Sequence, residues 1–410
     1  MRSAWLITMS ALLCGAARAA SLTYDAALDL AGRSAPTIEA RSLQIDATRS
    51  QAKSAGALPD PQLSLGVGDF PVSGPLAGRP DLDNFSMVTV GISQDVPSGA
   101  KRRARSQVAR ADITQAQADL LMERRNVRVS TALAWIDLYY AERRLAALED
   151  VAQKLRAEIE TAPARLTSGA TRPSAALAPR QALAAVADRR ADIVAAVAKA
   201  RADLGRWIGP AEGYEPAGPP PMDMVDAVAL RAHLDELPTL RAGDAAISRA
   251  EAAAALAKAD KRPDLGYEVD YSHRDPRFGD YLSAKVTVSL PIFGATRQDP
   301  MIAARLADVN RAHVEREAVR RELAAALDSD LADHAMHHER LARARETLVP
   351  LATRRAELET ASYAGGTSDL ADVEGAFVAL AEAQIDVLDR EAEAVRDGAR
   401  IVLTYGSDDQ

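Results

Sequence analysis

The 410-residue sequence has a single cysteine, Cys14. It lies in the N-terminal segment expected to be removed, so neither disulfides nor thiol chemistry are expected of the mature chain. Beyond that segment no run reaches the roughly 18 consecutive apolar residues that a transmembrane helix needs. Aromatic residues make up only 4%. The net charge of −8 combines 58 acidic with 50 basic residues, and this mixed, mildly acidic balance excludes nucleic acid as an indicated partner. A nucleophile elbow, a phosphate loop and a zinc-binding HExxH pattern are all missing, so no enzyme is expected, and no cofactor.

What is present begins with a leader. Arg2 gives a charged start, Ala4 to Ala17 is apolar, and Ala17-Arg18-Ala19 fits a small-x-small cleavage site. That is the layout of a secretory signal peptide over residues 1–19. Lipid attachment at Cys14 would want a small residue before it, and Leu13 stands there.

The remainder states one pattern twice. Pro36-Thr37-Ile38 returns as Pro238-Thr239-Leu240, and Pro61 to Val67 returns as Pro263 to Val269. Pro97-Ser98-Gly99 is echoed by Pro291-Ile292-Phe293-Gly294, and Leu166 to Gly169 by Tyr363 to Gly366. An offset of about two hundred residues marks a duplicated half-molecule and not a short solenoid repeat. The expected halves are 20–208 and 225–405, with a Gly- and Pro-rich linker at 209–224 and a tail at 406–410.

Each half opens with a helical pattern, Ala26 to Ala55 and Ala242 to Ala259, stopped by Pro59 and Pro263. Two alternating runs follow in each half, at 62–69 and 86–94, then at 264–272 and 281–290. Leu63, Leu65 and Val67 alternate with polar or small residues, as do Val88, Val90 and Ile92. A period of two over about 9 residues is the pattern of a membrane β-barrel strand, and a hairpin on a soluble sheet shares it. The leader favours the barrel, and so does the placement of Phe70, Phe85, Phe278 and Phe293 at or beyond strand ends, near Tyr281.

The longest helical stretches come next, 101–161 and 297–361, the second interrupted by Pro350. Leu138, Ala141, Leu145, Leu148, Ala152, Leu155 and Ile159 fall near heptad spacing, a coiled-coil seam. Each stretch ends at a glycine turn, Ser168-Gly169 or Gly365-Gly366, and return helices follow at 173–208 and 369–404.

In that order, Leu58-Pro59-Asp60-Pro61-Gln62-Leu63, Gln94-Asp95-Val96-Pro97 and Tyr363-Ala364-Gly365-Gly366-Thr367 resemble the outer-membrane factor family, whose best-known member is TolC. Leu58 through Val72 also resembles the heavy-metal efflux branch, with its CusC- and CzcC-type channels. The resemblance implies a mostly α fold with a membrane β-barrel. Three chains of four strands each would close a twelve-stranded barrel that continues into a helical coiled-coil tunnel in the periplasm. It implies a passive conduit in the outer membrane, in contact with its lipid. The partners implied are two further copies of the chain, a periplasmic adaptor and an inner-membrane pump of the RND type, and the leaning cargo is heavy-metal cations. The alternatives are efflux of drugs or small molecules, type I protein secretion, and a periplasmic coiled-coil protein that is not a channel.

The family's pore constriction carries acids after the second turn. Asp372 matches one such position, the second falls on Gly375, and Asp369 or Glu374 could compensate. Helix capping would ask for the same acids. The resemblance places adaptor docking at the turns, with Arg165, Leu166, Ser168 and Gly169 in one and Tyr363, Gly365, Gly366 and Thr367 in the other. His334 and His338 share a helix face and could hold a divalent ion, yet no fourth ligand has definite spacing and no metal site is expected.

Overall fold

The computed structural model describes residues 20–167, 178–211, 213–222 and 224–407. The leader with its cleavage site and Cys14, the first turn at Ser168 and Gly169, the start of its return helix at 173–177 and the last three residues lie outside the described residues.

The order of elements follows directly from where the chain can and cannot hold a helix. A short strand β1 (Ala20–Leu22) leads into α1 (Tyr24–Ser34), whose first turn is capped by the Thr23 hydroxyl accepting from the Ala26 amide at 3.2 Å. The single helix expected over 26–55 is two. Ala35 is extended, with ψ 119°, because the ring of Pro36 disfavours a helical residue before it, and α2 (Pro36–Ser54) restarts with that proline in its first turn. Strands β2 (Gln62–Gly68) and β3 (Met87–Val96) precede α3 (Gly99–Thr167), a helix of 69 residues. Then come α4 (Ala178–Ile208), β4 (Tyr214–Pro216), the short α5 (Ala227–Ala232) and α6 (Pro238–Ala259). Strands β5 (Leu265–His273) and β6 (Tyr281–Val288) lead to α7 (Gln298–Arg343).

At Pro350 the helix does not break but widens. Ala344–Leu348 form a π turn in which the Val349 amide reaches back to the Ala344 carbonyl, and α8 (Val349–Ala364) continues from there. Pro350 has no N–H to give, and its ring crowds the carbonyl four residues back, so a wider turn relieves both problems. The last helix is α9 (Leu370–Tyr405).

The chain divides into two compact units, and each draws segments from both repeats. The first comprises Met1–Ile38, Arg124–Ala232 and Ala325–Gln410. Its core is an alanine-rich helical cluster around Trp135, which is fully buried. Trp135 stacks on Tyr139 at 5.4 Å and meets Tyr24 edge-on at 5.7 Å, and its indole N–H donates to the Leu22 carbonyl at 3.0 Å. Burying about 200 Å² of indole is worth about 5 kcal/mol at about 25 cal/mol per Å². Ala27, Ala31, Ala132, Ala200 and Ala399 are buried around it, and side chains of one methyl let helix axes approach closely. Of the heptad seam, Leu138, Ala141, Leu148 and Ala152 are buried and Leu145 is half-buried. The parallel pair β1–β4 joins Ala20 to Tyr214 in this unit. Three-residue strands are too short to show a period, so nothing in the sequence announced them.

The second unit comprises Glu39–Glu123 and His233–Ala324. Its sheet is antiparallel in the order β2-β3-β5-β6, so that β3 and β5, one from each repeat, pair in the middle. Between α3 and α6, Ala118, Ala242 and Ala245 form a small buried cluster with Met122 packed against it. Ion pairs flank the helices here, Arg316 to Asp244 at 2.5 Å and Arg249 to Asp112 at 2.5 Å. Both are partly solvated, a setting in which such pairs contribute about 0.2–1 kcal/mol each.

Candidate functional site

Two places carry chemistry. The first is the sheet of the second unit. Its register lines up Leu65, Val90, Tyr271 and Leu282 as one row across all four strands, and Leu63, Ile92, Val269 and Ala284 as the next. Leu65 is 73% exposed, Leu282 76% and Ile92 57%, so among the described residues this face is a broad exposed apolar surface. A water-soluble sheet does not leave such a face bare.

The opposite face is polar row by row. Gln62, Ser93, Glu268 and Lys285 form one line, with Lys285 donating to Glu268 at 2.7 Å. Ser64, Gly91, Asp270 and Ser283 form another, and Thr89 meets Ser272 at 3.0 Å. Gly91 leaves room on this face for the side chains beside it. A Cβ there would lie 2.0 Å from an Asp270 carboxylate oxygen and 2.6 Å from the Ser64 hydroxyl. One face can therefore meet hydrocarbon and the other water, while among the described residues β2 and β6 are edges without a second partner strand.

Side chains distant in sequence fasten the two ends of the sheet, and periodicity gave no hint of them. At one end Arg274 is buried. It donates to the Gly279 carbonyl at 2.9 Å and to the Asn84 carbonyl at 2.9 Å, and it lies over the Tyr281 ring at 3.9 Å, tying both hairpin loops together. Phe70, Phe85 and Tyr281, all exposed, surround these loops. At the other end Asp264 receives the Lys101 ammonium at 2.6 Å and the Ser98 amide at 2.8 Å, which fixes the start of α3 to the start of β5. Partial burial pushes the Asp264 carboxyl up, but the Lys101 ammonium and the Ser98 amide outweigh it and hold it below the ordinary aspartate range.

The second place is the turn between α8 and α9, in the first unit. Thr367 N–H donates to the Ser362 carbonyl at 2.9 Å and Gly366 N–H to Tyr363 at 3.1 Å, the bond pair of a Schellman ending. Gly366 takes φ +74°, whereas Gly365 stays helical at φ −82°. The new helix starts with a capping box. Asp369 accepts the Asp372 amide at 3.1 Å, and the Asp372 carboxylate accepts the Asp369 amide at 3.3 Å. Ser368 donates to Glu359 at 2.9 Å and closes the turn.

Asp369 and Asp372 are thus brought together, exposed at one helix start, while Glu374 is buried and does not share their surface. Gly375 is exposed, and a Cβ on it would meet nothing within 4 Å. Of the first turn, Arg165 and Leu166 belong to the last turn of α3, and Ser168 and Gly169 lie outside the described residues.

On α7, His334 and His338 meet edge to face at 4.4 Å. Burial, with the neighbouring His338, holds the His334 imidazole below its ordinary pKa and therefore neutral. His337 turns away to Asp397 at 2.5 Å, and Arg400 joins Asp397 to Asp330. Tyr405 also bonds Asp330, at 3.1 Å; burial first and that carboxylate second push its hydroxyl up to about 12. Among the described residues no three His, Cys, Asp or Glu side chains converge as metal ligands. No described helix is long and apolar enough to cross a membrane.

The family described as outer membrane efflux protein matches the sequence over residues 27–210 and 229–407. The fold is similar to that of a membrane protein from Pseudomonas aeruginosa, with a TM-score of 0.79 at 15% identity over 94% of this chain and 90% of that one. It is also similar to CusC, with a TM-score of 0.76 at 14% identity over 94% and 92%. The CmeC outer membrane channel of Campylobacter jejuni gives 0.75 at 12% identity over 99% and 94%. No curated protein matches at the level of sequence.

Proposed function

The chain belongs to the outer membrane efflux protein family, and from that premise we propose that it is the passive exit duct of a three-part export system. Three copies assemble, a periplasmic adaptor docks on their helical turns, and an inner-membrane pump of the RND type supplies the cargo. The observation that carries this reading is the two-faced, four-stranded sheet with open edges at β2 and β6. Four strands cannot close a barrel, since small barrels need about eight. Unpaired edges in hydrocarbon leave backbone groups unsatisfied at several kcal/mol each. Joining the β6 edge of one copy to the β2 edge of the next removes both costs, and three copies give the twelve strands of a TolC-like barrel. The apolar rows then meet lipid, and the Gln62–Lys285 and Ser64–Ser283 rows line water.

The gate in this reading is a ring of Asp369 and Asp372 from each copy, whose crowded carboxylates attract cations and oppose closure. Adaptor docking uses Arg165, Leu166, Ser168 and Gly169 at one turn and Tyr363, Gly365, Gly366 and Thr367 at the other. The cargo favoured is heavy-metal cations, on the likeness of Leu58 through Val72 to that branch; export of organic drugs is the second reading. A structural coiled-coil protein would have no use for a sheet that is apolar on one face and polar on the other.

The test has two arms. The protein should be recovered from the outer-membrane fraction as an oligomer that heat dissociates; a soluble monomer would end the channel reading. A deletion strain should lose tolerance to copper, zinc, cobalt or cadmium. Unchanged metal tolerance with lost drug tolerance would transfer the cargo to the second reading.

A further inference from the structure

The first turns of α3 are strongly basic, and the duct does not use that charge. Lys101, Arg102, Arg103, Arg105 and Arg110 stand between Asp95 and Asp112 with no acidic residue among them. A helix N-terminus is the positive end of its dipole and disfavours cations, and α3 has no acid in its first turn to offset them. The matching stretch of the second repeat, 291–308, sets Arg297 and Arg305 against Asp299 and Asp308. A long helix below a strand pair can therefore be built without the excess charge.

The cations divide between two sides of the helix. Lys101 and Arg105 answer Asp264, the first through a bond of 2.6 Å. Arg105 also shares a cleft with Ser93, Glu268 and Thr287 from the polar face of the sheet. Arg103 is two residues from Arg105, about 200° round the helix, and so leaves it on the side of the apolar face. There Arg102, Arg103 and Arg110 line a groove of about 460 Å³ with Ser106 and Gln107, against Gly56 just beyond α2. No carboxylate lines this groove, and among the described residues neither Arg103 nor Arg110 has an ion pair. Arg102 Nε donates to the Gly56 carbonyl at 2.8 Å, which fixes one guanidinium in the wall. A Cβ on Gly99 would lie 3.4 Å from Arg103 Nη1, so that guanidinium is folded back over the helix start.

We propose that this groove binds the phosphodiester of an anionic phospholipid, from the membrane leaflet on the α3 side of the sheet. The assignment rests on the channel reading, which puts the apolar rows in hydrocarbon. The last of those rows, Val96, Leu265 and Val288, ends three residues before the start of α3 at Gly99. Arg103 lies four residues, about 6 Å, into the helix, and the side chain of Arg110 leans toward the same end. The headgroup layer extends roughly 5–7 Å beyond the hydrocarbon, which is the level these guanidiniums reach. Guanidinium forks hold phosphate oxygens through paired bonds, and the amides of the helix start add to the attraction for an anion. The exposed Leu63 and Leu65 of the apolar face can receive an acyl chain, which a free phosphate lacks.

The experiment uses the full-length oligomer in detergent, titrated with phosphatidylglycerol or phosphatidylcholine of the same acyl chains and read by native mass spectrometry. The expected result is one phosphatidylglycerol retained per chain, at least fivefold more tightly than phosphatidylcholine. Arg103→Gln with Arg110→Gln should bring phosphatidylglycerol down to the phosphatidylcholine level. Arg105→Gln removes the same charge as Arg103→Gln from the other side of the helix, and it should leave lipid binding unchanged where Arg103→Gln weakens it. Arg103 and Arg110 are exposed, so the heat-dissociable oligomer should survive these changes and certify the fold. Equal retention of the two lipids by an intact oligomer, or equal effects of Arg103→Gln and Arg105→Gln, would overturn the proposal alone. Displacement of phosphatidylglycerol by an equal concentration of inorganic phosphate would overturn the lipid assignment in favour of the free anion. Failure to form any oligomer would overturn the channel reading, and this proposal with it.

Discussion

Asp369 and Asp372 offer the sharpest perturbation, because capping and gating ask different things of the same two carboxylates. A capping box needs an acceptor at each position, and the bonds at 3.1 and 3.3 Å would survive replacement of aspartate by asparagine, itself a strong N-cap residue. A pore ring needs the charge, which asparagine removes. The double change Asp369→Asn with Asp372→Asn should therefore leave the start of α9 in place. In a trimer it deletes six negative charges at one level of the duct, so the cation-to-anion permeability ratio should fall severalfold in planar bilayers under a salt gradient. Asp369→Ala does the reverse experiment on structure. Losing an N-cap costs about 1 kcal/mol, so the first turn of α9 should open about fivefold more often. Amide exchange at Asp372, whose N–H loses its acceptor, reads that opening directly. An unchanged permeability ratio in the double asparagine variant would refute the ring. Unchanged exchange in Asp369→Ala would refute the cap.

Other substitutions follow from single contacts. Gly375→Asp enters open space on a helix, so it should fold normally and raise cation selectivity in the same bilayer assay. Gly375→Ala should stabilise the helix by about 0.5–1 kcal/mol without any effect on selectivity. Gly91→Val must displace the Asp270 carboxylate and the Ser64 hydroxyl, with a cost of about 1–3 kcal/mol seen as less heat-resistant oligomer, whereas Gly66→Ala meets nothing within 4 Å and should be tolerated. Asp264→Asn tests the clasp between β5 and α3. Because the folded carboxyl sits below its unfolded pKa of about 3.9, its contribution is present above that value and fades as pH falls through the folded pKa. The side chain is 33% exposed, so the loss should be about 1 kcal/mol near neutral pH and vanish near pH 2, measured by denaturant unfolding at each pH. Trp135→Ala should cost about 3–5 kcal/mol and reduce the yield of folded protein.

How much of this could be read from the residues differs by kind of interaction. The strands were legible because one face of each is apolar and the other polar, and Leu65, Val90, Tyr271 and Leu282 fall on one row once the pairing is known. The long helices were legible because long stretches of them hold neither proline nor glycine, although α3 runs on through Pro163 to Thr167, past the expected end at 161. Pro36 and Pro350 were visible, but their consequences differ. The first separates two helices, while the second is absorbed in a π turn, because a helix already formed on both sides loses less by widening than by breaking. Long-range contacts were not legible at all. Lys101 and Asp264 stand in different repeats, Arg274 reaches Asn84 from one hairpin loop to another, and Trp135 donates to the Leu22 carbonyl from more than a hundred positions away. No local pattern encodes such pairs.

The acids of the second turn belong to a third kind, where the residues are plain and their meaning is not. An aspartate at a helix start satisfies orphan amides and the helix dipole whatever lies beyond it, so composition alone cannot separate a cap from a gate. The geometry narrows the matter. Asp369 and Asp372 share one exposed helix start while Glu374 is buried, so of these three acids the two that present a charge at the turn are the two that also hold the helix. Charge and fold are therefore coupled at the turn. The paired asparagine substitutions separate the two, because asparagine keeps both acceptors of the capping box and removes both charges.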